Sequence, residues 1–241
     1  MPAVPPLLSR EHAVFLDYDG TLVGFESHAA QVFLPERRLN TLRTLFQHLD
    51  EGLCIISGRD VRNLSQRVPK DVWRAGSHGL EYCLPDHVPD HPPAPAPHAL
   101  LQAVRQIAGD HTGAEVEVKG QVIALHYRHA PDARAVLLEA MTQAVSGFDD
   151  YSLQQGKLVF EAKPYQAHKG RCIETLMTLS PFQNRIPIMV GDDATDEDAI
   201  ETVNQLGGWS VRIGAGETSA TYRLDTPEDV WRWIEASIAS G

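Results

Sequence analysis

The sequence predicts an α/β fold, a parallel sheet with helices on both faces, interrupted by an inserted α+β module. Three observations carry this. Residues 13–16, 53–56 and 186–190 are short apolar runs with the pattern of strands buried on both faces. Segments with apolar residues at helical spacing alternate with them, as parallel sheets require. In the middle of the chain a proline-rich stretch gives way to hairpin-like segments, which pair antiparallel and so do not continue a parallel sheet.

In chain order, the run Ala13-Val14-Phe15-Leu16 is the first strand. Pro35 opens a helix carrying Leu39, Leu42, Leu45, Phe46 and Leu49, and Gly52 stops it. Residues 53–56 are a second strand, 61–68 a short helix and 72–75 a third strand. Residues 85–97 contain six prolines and read as a linker. A helix near 100–108 follows, then a hairpin of 115–119 with 121–128 turning at Lys119-Gly120, then a helix over 132–145. A second hairpin pairs 151–153 with 157–161 across Gln154-Gln155-Gly156. The tail resumes the first rhythm with a helix over 172–179, a strand over 186–190, a helix over 197–206 and a strand over 209–213. Val230, Ile234 and Ile238 mark a last helix. The expected organisation is a core made of residues 1–93 and 167–241, with an α+β module over 94–166.

The chain has 241 residues, 43% hydrophobic and 22% charged, enough to bury a core without staples. Its net charge of −11 argues against nucleic acid or an anionic membrane as partner. An anionic small substrate therefore needs locally placed Lys or Arg. The three cysteines, Cys54, Cys83 and Cys172, lack framework spacing and read as free thiols of a reducing compartment. No apolar run is long enough to span a membrane. A cytoplasmic monomer is expected.

Asp17 and Asp19 follow the first strand, where open α/β sheets place ligands, and two carboxylates there suit a hard divalent cation such as Mg²⁺. Alone, Asp17-Tyr18-Asp19-Gly20-Thr21 also has a plainer reading, a strand-ending turn in which Asp and Gly satisfy the backbone. A second acidic run, Gly191-Asp192-Asp193-Ala194-Thr195-Asp196-Glu197-Asp198, ends another buried strand, and Asp192 or Asp193 is placed to complete a metal site. Thr195 to Asp198 also read as an N-cap and first-turn acids suited to the helix dipole. Ser57-Gly58-Arg59, between a strand and a helix, offers a hydroxyl and backbone N–H groups to an anion. Lys169, at the start of a helix, is either a charge-neutralising buried lysine or a solvated one. His87, His91 and His98 lie in or beside the linker and read as solvated.

In the chain order Asp17 to Thr21, Ser57, Lys169 and Gly191-Asp192-Asp193, these four segments resemble the haloacid dehalogenase superfamily of phosphotransferases. The resemblance implies a Rossmann-like core with Asp17 as nucleophile and Asp19 as acid and then base. Ser57, Gly58 and Lys169 would hold phosphate, and Asp17, Asp19 and Asp192 would hold Mg²⁺, with Thr21, Arg59, Asp193 and Asp196 in support. Ile56-Ser57-Gly58-Arg59, Gly76-Ser77-His78-Gly79-Leu80-Glu81, His126-Tyr127-Arg128, Glu161-Ala162-Lys163-Pro164 and Gly191 to Glu197 are, more closely, similar to the trehalose-6-phosphate phosphatase family. That resemblance implies a sugar-phosphate substrate and an α+β cap, with His78, Glu117, Lys119, Arg128, Glu161 and Lys163 at the sugar. From the residues alone, Glu117, Lys119 and Arg128 read as the solvated face of a hairpin. Two rivals remain: a phosphatase of another sugar phosphate, sucrose phosphate for instance, and a non-catalytic phosphate-binding regulatory domain.

Overall fold

A computed structural model describes residues 4–24, 33–89, 94–156 and 158–241. Before the insertion come β1 (His12–Asp17), α1 (Glu36–His48), β2 (Leu53–Ile56), α2 (Val61–Ser65), β3 (Trp73–Gly76) and β4 (Glu81–Cys83). The middle holds α3 (His98–Gly109), β5 (Glu115–Lys119), β6 (Val122–His126), α4 (Arg134–Val145), β7 (Tyr151–Gly156) and β8 (Val159–Pro164). Then follow α5 (Lys169–Leu176), β9 (Ile186–Gly191), α6 (Glu197–Gln205), β10 (Trp209–Ile213), β11 (Tyr222–Leu224) and α7 (Pro227–Ala239). The chain divides into two units, Met1–Pro89 with His168–Gly241, and Asp90–Ala167.

The first unit is a seven-stranded sheet of the described residues, ordered β11-β10-β9-β1-β2-β3-β4. Every pairing is parallel except β3 with β4. From β1 the chain steps outward to β2 and β3, and it later returns on the other side of β1 as β9 and β10. Right-handed crossovers in opposite directions put helices on both faces and open a crevice at the carboxyl ends of β1 and β9. Every residue of β1 and β2 is buried, which is why both read as continuous apolar runs. Phe15 and Trp73 pack on Phe182, with ring centroids 5.5 and 5.3 Å apart.

Arg74, fully buried on β3, meets no carboxylate in its hydrogen bonds among the described residues. It donates to the carbonyls of Val72, Leu84 and His87 and to the Ser65 hydroxyl, at 2.8–3.1 Å. It thereby ties residues 84–87 to the sheet. His87 donates from Nδ1 to the Pro85 carbonyl at 2.8 Å, and His91 lies outside the described residues.

The second unit is an antiparallel sheet ordered β5-β6-β8-β7. Ile123, Leu125, Phe160 and Ala162 pack with Leu100, Val104, Leu137 and Met141 of α3 and α4. Strand side chains alternate, so Glu117, Lys119, Ala124, Glu161 and Lys163 share the opposite face.

Three sequence expectations change. The second hairpin does not turn at Gln154-Gln155-Gly156: these residues are paired in β7, with Gly156 opposite Val159. Leu158 supplies the left-handed conformation at φ 59°, and Lys157 lies outside the described residues. β4 and β11 are additional three-residue edge strands, too short to show periodicity. The helix expected from residue 172 starts at Lys169, because His168 caps it by accepting from the Arg171 N–H.

Candidate active site

Strand register assembles the site. Asp17 pairs with Ile56, so Ser57 follows directly on one side, and Leu16 pairs with Val190, which brings Gly191 and Asp192 up on the other. Gly20 sits at φ 87°, and a Cβ there would lie 2.2 Å from the Asp192 carboxylate. The left-handed turn and the close approach of Asp192 both demand glycine. Thr21 Oγ1 donates to Asp192 Oδ1 at 3.4 Å.

At the centre is Lys169, 3% exposed. Its Nζ donates to Asp17 Oδ1 at 2.7 Å and to Asp196 Oδ1 at 2.5 Å. The second oxygen of Asp196 accepts the backbone N–H groups of Asp192 and Asp193 at 3.0 and 3.1 Å. Asp196 thus uses both oxygens to hold the lysine and the Asp192 turn. Asp193 caps the short helical turn after it, accepting from the Ala194 N–H at 2.7 Å.

Oxygens of Asp17, Asp192 and Asp196 lie within 4.8 Å of one another. Burial pushes the Asp17 carboxyl well above the usual carboxylate range; Lys169 opposes this, and Asp196 and Asp192 add to it. Asp192 is pushed up to about 7 by burial and by Asp196 and Asp193, against Lys169 and Arg212. Burial disfavours the Lys169 ammonium, but Asp17 and Asp196 outweigh it and hold it above the ordinary lysine value. Three crowded carboxylates and one ammonium leave excess negative charge on hard oxygen donors, which fits a divalent cation. Asp17 Oδ2 and the Asp192 carboxylate lie outside the lysine and backbone bonds and are the oxygens best placed to hold it.

This crowding has a measurable consequence. Between the ordinary Asp192 value and about 7, the folded state keeps a proton that the unfolded state has lost. Ionising Asp192 therefore costs stability as pH rises through that window. In chelator, Asp192→Asn is expected to gain thermal stability over wild type from about pH 4 to about pH 7. Saturating divalent cation should cancel the gain. A difference in melting temperature that does not change with pH would contradict this.

Asp19 does not join the carboxylate trio through its side chain. Arg59 grips both its oxygens, Nε to Oδ2 and Nη2 to Oδ1, each at 2.6 Å. The guanidinium also lies 5.5 Å from the Tyr18 ring centroid. The carboxylate that completes the trio is Asp196, which the sequence placed only in support. Its spacing from Asp192 shows no such role until Lys169 is seen beneath it.

Ser57 is buried, and its hydroxyl accepts the Arg59 N–H at 3.1 Å. Its own N–H is spent on the Ala75 carbonyl, whereas the Gly58 N–H has no partner among the described residues. His78 is held over Gly58 by consecutive left-handed residues, Ser77 at φ 52° and His78 at φ 57°. Such backbone costs on the order of 1–3 kcal/mol per residue and gathers at functional sites.

In the second unit, Glu117, Ala124, Glu161 and Gln154 stand opposite one another across four strands. Lys119 Nζ donates to Glu161 at 3.2 Å and lies 3.6 Å from Glu117. His126 Nε2 lies 2.9 Å from Glu117 Oε2. That hydrogen bond, opposed by partial burial and helped by Lys119, lowers Glu117 to about 2. Lys163 pairs across from Ser152 on the same face. Arg128 is exposed and lies two residues past the end of β6. His126 was named in the sequence only as part of a motif; its place beside Glu117 follows from register.

A trehalose-phosphatase family profile matches residues 15–228. Trehalose-6-phosphate phosphatase of Escherichia coli is 39% identical over 234 residues, covering 95% of this chain and 88% of the relative. A probable trehalose-phosphate phosphatase of Sinorhizobium fredii is 36% identical over 205 residues, covering 84% and 77%. The structure of the C. albicans trehalose-6-phosphate phosphatase C-terminal domain superposes with a TM-score of 0.81 at 21% identity, covering 96% of this chain and 93% of that one, a likeness of fold. The chain belongs to the trehalose-phosphatase family of hydrolases.

Proposed function

We propose that this chain is a Mg²⁺-dependent phosphomonoesterase that hydrolyses trehalose 6-phosphate to trehalose and phosphate through an aspartyl-phosphate on Asp17. The observation that carries the chemistry is Asp17 at the crevice end of β1, bridged by buried Lys169 to Asp196 beside Asp192. Asp17 attacks phosphorus in line, and Asp19 protonates the leaving sugar oxygen. Both Asp19 oxygens accept from Arg59, so the proton is carried on a lone pair that the guanidinium leaves free. Asp19 then takes a proton from the water that attacks the aspartyl-phosphate, splitting one hard step into two. Lys169, the Ser57 hydroxyl and the Gly58 N–H neutralise and orient the transferred group, which carries its charge on peripheral oxygens. Bound by Asp17 and Asp192, Mg²⁺ would supply further charge neutralisation.

On this reading Glu117, Lys119, Arg128, Glu161, Lys163 and His78 contact the sugar, and the chain works as a cytoplasmic monomer. Losing one charge-assisted hydrogen bond costs roughly 1.5–3 kcal/mol. Lys163→Ala is therefore expected to raise KM for trehalose 6-phosphate about tenfold or more while hydrolysis of a small aryl phosphate changes by less than about twofold. Equal losses on both substrates would remove Lys163 from the sugar site. The reading as a whole is tested by phosphate release from trehalose 6-phosphate, sucrose 6-phosphate and glucose 6-phosphate, with Mg²⁺ present or chelated. Mg²⁺-dependent release that favours trehalose 6-phosphate supports it; preference for another sugar phosphate, or release unaffected by chelation, overturns the substrate or the metal.

A further inference from the structure

Arg212 takes no part in the chemistry above, yet its guanidinium is buried against the turn that carries Asp192. It lies on β10, opposite Gly191 of β9, and is 8% exposed. Nη1 donates to the Asp193 carbonyl at 2.8 Å and to Glu197 Oε1 at 3.2 Å. Glu197 Oε2 accepts the Ser219 N–H at 3.0 Å, and the Ser219 carbonyl accepts from Asn204 Nδ2 at 2.8 Å. Asn204 Oδ1 in turn accepts from Ser210 Oγ at 2.9 Å, back on β10. The buried Nε of Arg212 has no partner among the described residues. A buried donor left unmet costs free energy, so the guanidinium is placed for what Nη1 holds rather than for its own satisfaction.

The Asp192–Asp193 turn is thus gripped on two sides. Asp196 takes its N–H groups, and Arg212 takes its outward carbonyl. Glu197, which the sequence left as a first-turn acid, fixes where the guanidinium sits. Groups that hold a ligand-bearing loop from behind set metal affinity without touching the ion.

We propose that the Arg212–Glu197 pair is a strut that positions Asp192 for the divalent cation, so that Arg212 is a positioning residue of the metal site. The inference rests on the metal reading given under Proposed function. Arg212→Met keeps the apolar stem and removes the donors. Glu197→Gln keeps the shape and removes the charge. Arg212→Lys keeps the charge and loses the planar fork.

The test is calorimetric titration of the metal-free full chain with Mg²⁺, together with the Mg²⁺ concentration giving half-maximal release from a small aryl phosphate. Arg212→Met is expected to weaken Mg²⁺ binding about tenfold or more, and the half-maximal concentration should rise in parallel. Glu197→Gln should weaken it about threefold, with Arg212→Lys between the two. A folded Arg212→Met that binds Mg²⁺ as wild type does overturns the strut. So does a loss of activity with no shift in Mg²⁺ requirement, since a purely structural tie would behave that way. If Arg212→Met does not fold, Glu197→Gln decides: wild-type affinity there overturns the proposal. Wild-type protein that takes up no Mg²⁺ overturns the metal reading and the strut together, whereas wild-type binding matched by the variants overturns the strut alone.

Discussion

Asparagine in place of Asp17 is expected to abolish phosphate release while leaving the protein folded. The amide has nearly the shape of the carboxylate but is no nucleophile, so the covalent route closes. Losing the attacking group should lower turnover by about three orders of magnitude or more. The fold should tolerate the change because the buried trio loses one of its mutually repelling carboxylates. Lys169 keeps Asp196 as its partner at 2.5 Å. Circular dichroism and a melting temperature in chelator at or above that of wild type check the fold, and phosphate release with saturating Mg²⁺ checks the chemistry. Undiminished release would remove Asp17 as nucleophile.

Lys169→Met is expected to fail in both respects. The ammonium touches Asp17 and Asp196 in a place with almost no solvent, and methionine leaves two carboxylates facing each other without a counterion. Removing one partner of a buried ion pair costs about 3–5 kcal/mol, a large share of the stability of an ordinary domain. Turnover should fall as well, because the same ammonium orients Asp17 and faces the transferred charge. The two effects separate in the double variant Lys169→Met with Asp196→Asn. Removing the second carboxylate should restore much of the stability but none of the turnover. Chemical denaturation and phosphate release measured on both variants check this. A single variant as stable as wild type would contradict the assigned role of the lysine.

The sequence made the centre of the fold legible because β1, β2 and β9 are buried on both faces and leave unbroken apolar runs. It hid β4 and β11, edge strands of three residues each, too short to show a period. The second hairpin misled for a local reason. Gly156 looks like a turn residue, but it is paired with Val159 in the sheet, and Leu158, two residues on, adopts the left-handed conformation.

The site divides in the same way. Asp17, Asp19, Ser57 and Asp192 were visible as polar residues at the ends of apolar runs. Asp196 was masked by its resemblance to a helix-capping acid, and its grip on Lys169 and on two backbone N–H groups needs the tertiary fold to be seen. Arg212 left no signal, since one arginine on a short strand does not show which turn its guanidinium meets. The charged row of the second unit depends on a register that pattern alone does not give, which is why Glu117 and Lys119 read from the residues as a solvated hairpin face.

The most direct test of the account is to trap the phosphoryl group on Asp17. Asp19→Ala should slow attack by water on the aspartyl-phosphate, while a small aryl phosphate, with its good leaving group, still phosphorylates the chain. Quenching that variant during turnover, reducing the acyl phosphate with borohydride and mapping the peptides by mass is expected to find position 17 converted to homoserine. The conversion should depend on Mg²⁺ and be absent from Asp17→Asn. Turnover with no trapped adduct, or an adduct on any other residue, would contradict Asp17 as the nucleophile.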